Sequence, residues 1–183
     1  DAETLLFGST DETAFRMQNI TPGTGISTGT NTVYKANVTV AGDLIKTEIL
    51  IDLTGLNSSA ADDIIGKQAT ANCHIGQITS ALCGTIFAGT FQSLETPTGG
   101  EPDIDLYAAT EATGTEDTAI TGLAETKLLD LNADLSASNL GTPFVLSAFP
   151  AADQYLYLVG SGGGTDDIYT AGKLLITLYG QPA

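Results

Sequence analysis

One histidine and two cysteines are the residues of this 183-residue chain that could form a nucleophile and its base. His74 directly follows Cys73 inside a stretch with the pattern of a β-strand. Neighbouring residues of a strand point to opposite faces, so these two side chains cannot act as a nucleophile–base couple. The glycine run 160–164 also lacks the Lys-Ser/Thr pair of a phosphate-binding loop. We therefore predict a structural histidine, no enzymatic activity, no cofactor and no small-molecule substrate.

Paired carboxylates are the other groups that could do chemistry, since glycosidases and calcium sites both use them. Four pairs lie in or beside predicted loops: Asp62 with Asp63, Asp103 with Asp105, Glu116 with Asp117, and Asp166 with Asp167. Asp103 and Asp105 share one face of a predicted strand, close enough to bind one hard cation. However, the chain has no D-x-[DN]-x-[DN]-G loop, and its 22 acids produce adjacent pairs without any site. We predict solvated loop acids and no metal site, with calcium binding as the open alternative.

The net charge of the chain limits its partners. Lys plus Arg number 6 and Asp plus Glu number 22, so the formal charge is −16. Binding to nucleic acid depends on cationic side chains that displace counterions, and an anionic membrane surface repels an acidic protein. The sequence therefore predicts a folded acidic domain whose partners include neither nucleic acid nor a membrane.

The cysteines, Cys73 and Cys83, flank one apolar stretch. Two buried thiols and a disulfide are both compatible with this arrangement. The chain has no C-x-x-C motif and no second Cys/His pair, which argues against a zinc site.

Alternation of apolar and polar residues, which is typical of half-buried strands, dominates from residue 32 onward. Two alternating runs, 33–41 and 44–53, flank a short turn that contains Gly42 and predict a β-hairpin. Residues 123–135 are compatible with a strand or a helix. Further strands are predicted at 73–82, 85–94, 103–110, 142–149, 154–159 and 169–179, and a loop at 96–102. Many short strands joined by Gly- and Pro-containing turns indicate an all-β fold, an antiparallel, jelly-roll-like β-sandwich.

The N-terminal residues 1–31 differ from the rest, because a small apolar group precedes a Gly/Thr-rich run. We predict an extended N-terminal arm that docks on a partner, followed by one β-sandwich domain over residues 32–183. An N-terminal strand of the main sheet followed by a long loop is the open alternative. The predicted assembly interface consists of Leu5, Leu6, Phe7, Phe15 and Met17.

Several segments, in this order, resemble those of a known group of proteins. They are TEILIDLTGL at 47–56, DIIG at 63–66, ANCHIGQIT at 71–79, DIDLY at 103–107, PAADQYLYL at 150–158 and YTAGKLLITLYG at 169–180. Over residues 32–180 the chain is similar to small virion structural proteins of tailed bacteriophages, mostly of marine type. The resemblance implies a capsid decoration, or cement, protein on the outer surface of the virion. It also implies a homotrimer with a jelly-roll or related β fold that bridges major capsid protein subunits, and it carries over no catalytic residue.

Two other functions fit the same composition. A phage head-fibre or tail-tip domain would bind receptors through loops such as 96–102 and 160–167. An exported pilus or surface-layer subunit would use residues 1–17 as a strand donated to a neighbour. A disulfide between Cys73 and Cys83 would favour the exported subunit.

Overall fold

A computed structural model describes residues 20–27, 34–131, 134–162 and 167–182 of the chain. The strands in these ranges are β1 (Tyr34–Ala41), β2 (Leu44–Asp52), β3 (Asn57–Ser58), β4 (Gly76–Ile78), β5 (Thr85–Thr98), β6 (Ile104–Ala109), β7 (Glu125–Leu129), β8 (Pro143–Val145), β9 (Gln154–Gly160), β10 (Asp167–Ile168) and β11 (Ala171–Gln181). The helical segments are α1 (Thr24–Ser27), α2 (Ser80–Cys83) and the 3-10 turns Ile120–Gly122 and Ala137–Asn139. None of the helices in the described ranges has the length and apolar character needed to cross a membrane.

The predicted hairpin is confirmed. β1 and β2 pair antiparallel over their whole lengths, and the pairing extends to Ala41 opposite Leu44. The turn therefore has two residues, and the first of them, Gly42, has a φ of 60°. Two-residue hairpin turns need such a left-handed residue, which glycine provides without steric cost.

Two antiparallel sheets form an all-β sandwich, as predicted. The larger sheet has the order β1-β2-β11-β5-β8, the smaller has the order β4-β9-β6-β7, and β3 pairs separately with β10. Four antiparallel pairs are nested in sequence: β6 with β7, β5 with β8, β4 with β9, and β2 with β11. Successive nested pairs alternate between the smaller and the larger sheet, so the chain crosses repeatedly from one sheet to the other.

The hydrophobic core lies between the two sheets. Ile49, Ile176 and Phe91 face it as neighbours in one row across β2, β11 and β5, and all three are fully buried. Leu106 and Leu158 of the smaller sheet belong to the same cluster. Burying a side chain of this size contributes about 1.5–3 kcal/mol. The apolar positions of the alternating strands thus lie on the sheet faces that meet in this core.

The smaller sheet is also covered on its second face. A second apolar cluster there contains Tyr107 and Tyr157 of the sheet together with Ile64 and Ile120 of the long connections. All residues of β6 are consequently buried. This corrects the predicted polar face of this strand, because Asp105 and Tyr107 lie under the connections instead of facing solvent.

The predicted strand 73–82 is mostly absent. β4 covers only three residues of it, and α2 follows directly. Gly84 ends α2 with a φ of 68°, a left-handed conformation that glycine adopts easily. Local turn geometry therefore prevailed over the apolar pattern of this segment.

The predicted loop 96–102 is partly strand. β5 continues to Thr98 because its backbone still pairs with β11 there, opposite Ala171. The ambiguous stretch 123–135 contains β7, a strand at the edge of the smaller sheet. In both cases the pairing partner, rather than the residue type, decided the conformation.

Residues 20–27, which the sequence assigned to the arm, pack on the body. Ile20 and Ile26 are buried members of the core cluster. The backbone N–H of Gly23 donates to the carbonyl oxygen of His74 at 2.8 Å. The part of the predicted arm that the structure describes is thus integrated with the sandwich.

Candidate functional site

The two side chains considered as a nucleophile and its base contact different neighbours. Cys73 and His74 lie in the connection before β4, not in a strand as predicted. The Sγ atom of Cys73 donates to the carbonyl oxygen of Thr70 at 3.0 Å. The His74 ring packs on Tyr155 with 4.8 Å between ring centroids, and burial lowers the pKa of the imidazole. Each side chain is therefore engaged with its own neighbours.

Both cysteines are free and buried. Cys83 lies in the core between the sheets and Cys73 in the second cluster. They are not bonded to each other, so the disulfide that would favour an exported subunit is absent from the structure.

The native thiols should react slowly. Burial raises the pKa of Cys73 to about 11, and burial also raises the pKa of Cys83. Since the thiolate is the reactive form, we expect a thiol reagent to modify the native protein slowly and to count two thiols after unfolding. A thiol that reacts rapidly in the native protein, or a count below two after unfolding without reductant, would contradict this.

Asp105 is a structural acid rather than a solvated one. Its side chain is 1% exposed, and its Oδ2 atom lies 3.0 Å from Nζ of Lys127. Its Oδ1 atom accepts a hydrogen bond from the backbone N–H of Leu131 at 2.8 Å. Partial burial opposes the charge of Lys127, but hydrogen bonds to Tyr107 and Asp105 outweigh it and raise the pKa of the lysine. The ion pair joins β7 to β6, and the hydrogen bond from Leu131 holds the chain beyond β7 against β6.

Glu116 is also buried, in contrast to the predicted solvated loop acid. It is 4% exposed, and its Oε1 atom accepts from Nδ2 of Asn57 at 2.6 Å. Its Oε2 atom accepts from the backbone N–H of Ala69 at 2.7 Å. One carboxylate thus connects three separate parts of the chain over the second face of the smaller sheet.

Asp103 has a less favourable environment. Its Oδ1 atom is buried and has no hydrogen-bond partner among the described residues. Burial raises the pKa of this carboxyl, and the nearby charges of Asp105, Glu101, Asp134 and Asp130 raise it further. In the part of the chain that the structure describes, no three His, Cys, Asp or Glu side chains are arranged to hold a metal ion. These acids repel one another, and Asp105 is already held by Lys127.

Replacing Asp103 by Asn should stabilise the protein at neutral pH. Because the folded-state pKa is raised, the folded protein binds more protons than the unfolded chain between the ordinary and the raised pKa. The wild type therefore loses stability as the pH rises through that window, and the variant does not. Chemical unfolding at several pH values measures this. Equal stabilities at neutral pH, or an advantage of the variant that grows in acid, would contradict it.

The second face of the larger sheet, called the outer face below, is the strongest candidate for a functional surface. Cross-strand register defines it, because residues paired across strands point to the same side. The outer face consists of Lys35, Asn37 and Thr39 of β1, Lys46, Glu48, Leu50 and Asp52 of β2, Lys173, Leu175, Thr177 and Tyr179 of β11, Ala88, Thr90, Gln92 and Glu95 of β5, and Pro143 and Val145 of β8.

The outer face is formally neutral. Its charged residues are three lysines and three acids: Lys35, Lys46, Lys173, Glu48, Asp52 and Glu95. Nζ of Lys46 lies 2.7 Å from Oε1 of Glu48, and Lys173 pairs with both Asp52 and Glu95. The surface thus contains half of the chain's six basic residues, while the net charge of −16 belongs entirely to the rest of the chain.

Exposed apolar side chains accompany this neutral face. Val145 on β8 is 73% exposed. The register between β5 and β11 leaves one extra residue at Phe87 and another at Leu94, next to the two ends of the outer face. Extra residues in β-bulges escape the inward-outward alternation, and both side chains are exposed. These three side chains add apolar surface to the borders of the neutral face.

The larger sheet ends on one side in a long free strand. β1 has eight residues and pairs with β2 without a bulge, and in the described part of the chain nothing pairs with its other edge. The opposite edge strand, β8, has only three residues. A long regular edge offers backbone N–H and C=O groups to an additional strand.

The assembly anchors predicted from the sequence, namely Leu5, Leu6, Phe7, Phe15 and Met17, lie outside the described residues. The outer face itself was not predicted. Its signal was present in β2 and β11, where Leu50 and Leu175 occupy positions that the alternation assigns to solvent.

Comparison of the chain with protein-family models, with curated proteins and with solved structures finds no match.

Proposed function

We propose that this protein is a virion structural protein, a capsid decoration (cement) protein that binds the outer surface of a tailed-phage head and stabilises the shell. The observation that carries the proposal is the outer face, a neutral surface with exposed apolar residues on a chain of net charge −16. Apolar patches favour specific contacts, and the charge elsewhere keeps unassembled copies soluble. An assembly subunit needs both properties.

The strand order supports the architecture of this proposal. Nested antiparallel pairs that alternate between two sheets, from β6–β7 outward to β2–β11, are compatible with the jelly-roll topology of this proposal. Jelly rolls occur in viral capsid proteins and also in lectins and cupins. Because one fold hosts many functions, the strand order is compatible with a virion protein, and the outer face is what favours an assembling one.

Such a protein acts through binding free energy. A subunit that binds the assembled shell, but not its separated parts, stabilises the shell by mass action. The partners in this proposal are the major capsid protein and further copies of this chain. Residues 1–17 remain the predicted contact with the shell.

Quantitative mass spectrometry of purified virus particles from the source culture tests the proposed function. We expect a simple ratio to the major capsid protein, such as one third or one to one, because symmetry sets the number of binding positions. A few copies per particle would instead indicate a fibre or tail tip. Absence from particles would overturn a virion role.

The free edge of β1 favours a second candidate, an exported pilus or surface-layer subunit that assembles by strand donation. Residues 1–17 would add to β1 of a neighbouring copy, with backbone hydrogen bonds as the main contact. Ile20, where the described chain begins, is already buried near this edge, and Tyr34 of β1 packs against the same core cluster. The purified full-length protein would then form polymers, and a variant without residues 1–17 would not. Polymers that survive the deletion would exclude this candidate.

A further inference from the structure

We propose that a second copy of this chain docks on the outer face, sheet against sheet, in a two-fold arrangement. This inference deepens the proposed function, because it names the surface through which decoration subunits associate, and it expects a two-fold pair in solution where the resemblance implies a homotrimer. A two-fold interface buries the same surface on both copies, so the outer face of each copy would contact the outer face of the other.

Charge selects the second copy as the occupant. Two molecules of net charge −16 repel each other at most relative orientations, and the repulsion is weakest where neutral surfaces meet. A basic partner would be attracted to the acidic remainder of the molecule rather than to this face. The outer face of another copy is neutral in the same way, so it is a complementary surface for contact.

Five of the six charged residues of the outer face are paired within it, and the sixth, Lys35, is exposed on the edge strand β1. Lys46 pairs with Glu48, and Lys173 pairs with Asp52 and Glu95. Covering these pairs therefore does not isolate a single charge, which is the costly event in buried interfaces. A partner need not supply counter-charges at these positions.

The middle rows of the outer face are closely packed, with Glu48, the partner of Lys46, beside Thr177. Leu50 and Leu175 lie side by side in one row, and Thr177 in the next row is only 6% exposed. Sheets with such faces stack about 10 Å apart with their side chains interdigitated. At the β8 side, Val145 projects furthest into solvent and would be covered by the partner.

The test is the oligomeric state of the purified full-length protein, measured by sedimentation equilibrium over a range of protein and salt concentrations. We expect reversible dimers that become tighter as salt is raised from low ionic strength, because salt screens the repulsion between the acidic remainders. A protein that stays monomeric at all conditions, or dimers that weaken steeply with added salt, would overturn the proposal.

Two variants with the same added charge locate the interface. Val145→Glu introduces an unpaired carboxylate into the proposed contact and should weaken dimers by about tenfold or more. Ile168→Glu makes the same change on β10, at a residue that is also exposed but lies outside the outer face, and should leave dimers unchanged. Circular dichroism checks that both variants fold. Equal effects of the two variants would overturn the assignment of the surface.

The failure of this inference can be distinguished from the failure of the proposed function. Virus particles that contain many copies of a chain that is monomeric in solution would support decoration and refute dimers through the outer face. If the protein were absent from virus particles but formed dimers that Val145→Glu weakens, dimers through the outer face would be supported and decoration would be refuted.

Discussion

Replacing Lys127 by Met should lower the free energy of unfolding by about 3 kcal/mol, the lower end of the scale for removing one partner of a buried ion pair, because the Lys127 side chain is itself 34% exposed. The substitution leaves Asp105, whose side chain is 1% exposed, without a cation. It also removes the ammonium group that lies 5.2 Å from the centroid of the Tyr107 ring. Chemical denaturation at neutral pH measures the loss.

Two further variants test the cause of that loss. Asp130→Asn removes an exposed acid that also pairs with Lys127, at 3.3 Å, and should cost less than about 1 kcal/mol. The double variant Lys127→Met/Asp105→Asn should be more stable than Lys127→Met alone, because no buried charge remains. If Lys127→Met were harmless, or if the double variant were the least stable, the buried pair would not be the cause.

Replacing Glu116 by Ala should lower the free energy of unfolding by a similar amount, about 3 kcal/mol, since two hydrogen bonds to a charged group are lost. The amide of Asn57 and the backbone N–H of Ala69 each lose this acceptor in a buried or half-buried setting. The loss should be local, because Glu116 fixes the connections over the second face of the smaller sheet. Hydrogen exchange should therefore accelerate in residues 57–75 before it does in the larger sheet.

Asp117 provides the matched control for Glu116. It is the next residue, it is exposed, and it has a φ of 58°. Asn tolerates this left-handed conformation, so Asp117→Asn should change the stability by less than about 0.5 kcal/mol. Equal destabilisation by both variants would show that the charge of this loop matters, rather than the buried carboxylate.

The strands show how much of the structure was available from the sequence. The alternation in 33–41 and 44–53 predicted β1, β2 and their hairpin, because a strand exposes every second residue whatever its distant partners are. The same reasoning predicted the all-β antiparallel sandwich. It failed at 73–82 and 96–102, where turn geometry and the pairing of β5 with β11 decided the conformation.

The outer face could not be assembled from the sequence. Leu50 and Leu175 are far apart in the chain and become neighbours only through the register of β2 and β11. The exposure of Phe87 depends on a bulge whose position is set by the pairing of β5 with β11. The three lysines and three acids of the outer face likewise form one neutral surface only after β1, β2, β11 and β5 align.

The sequence by itself determined the period of the strands and the acidic charge. Only the tertiary structure decided which acids are buried. Asp105 and Asp52 both stand at polar positions of alternating strands, yet Asp105 is enclosed and Asp52 is partly open to solvent. The difference arises because connections cover the second face of the smaller sheet, whereas no described residues cover the corresponding face of the larger sheet. Burial depends on distant chain that packs over a strand, and the local pattern of that strand contains no information about it.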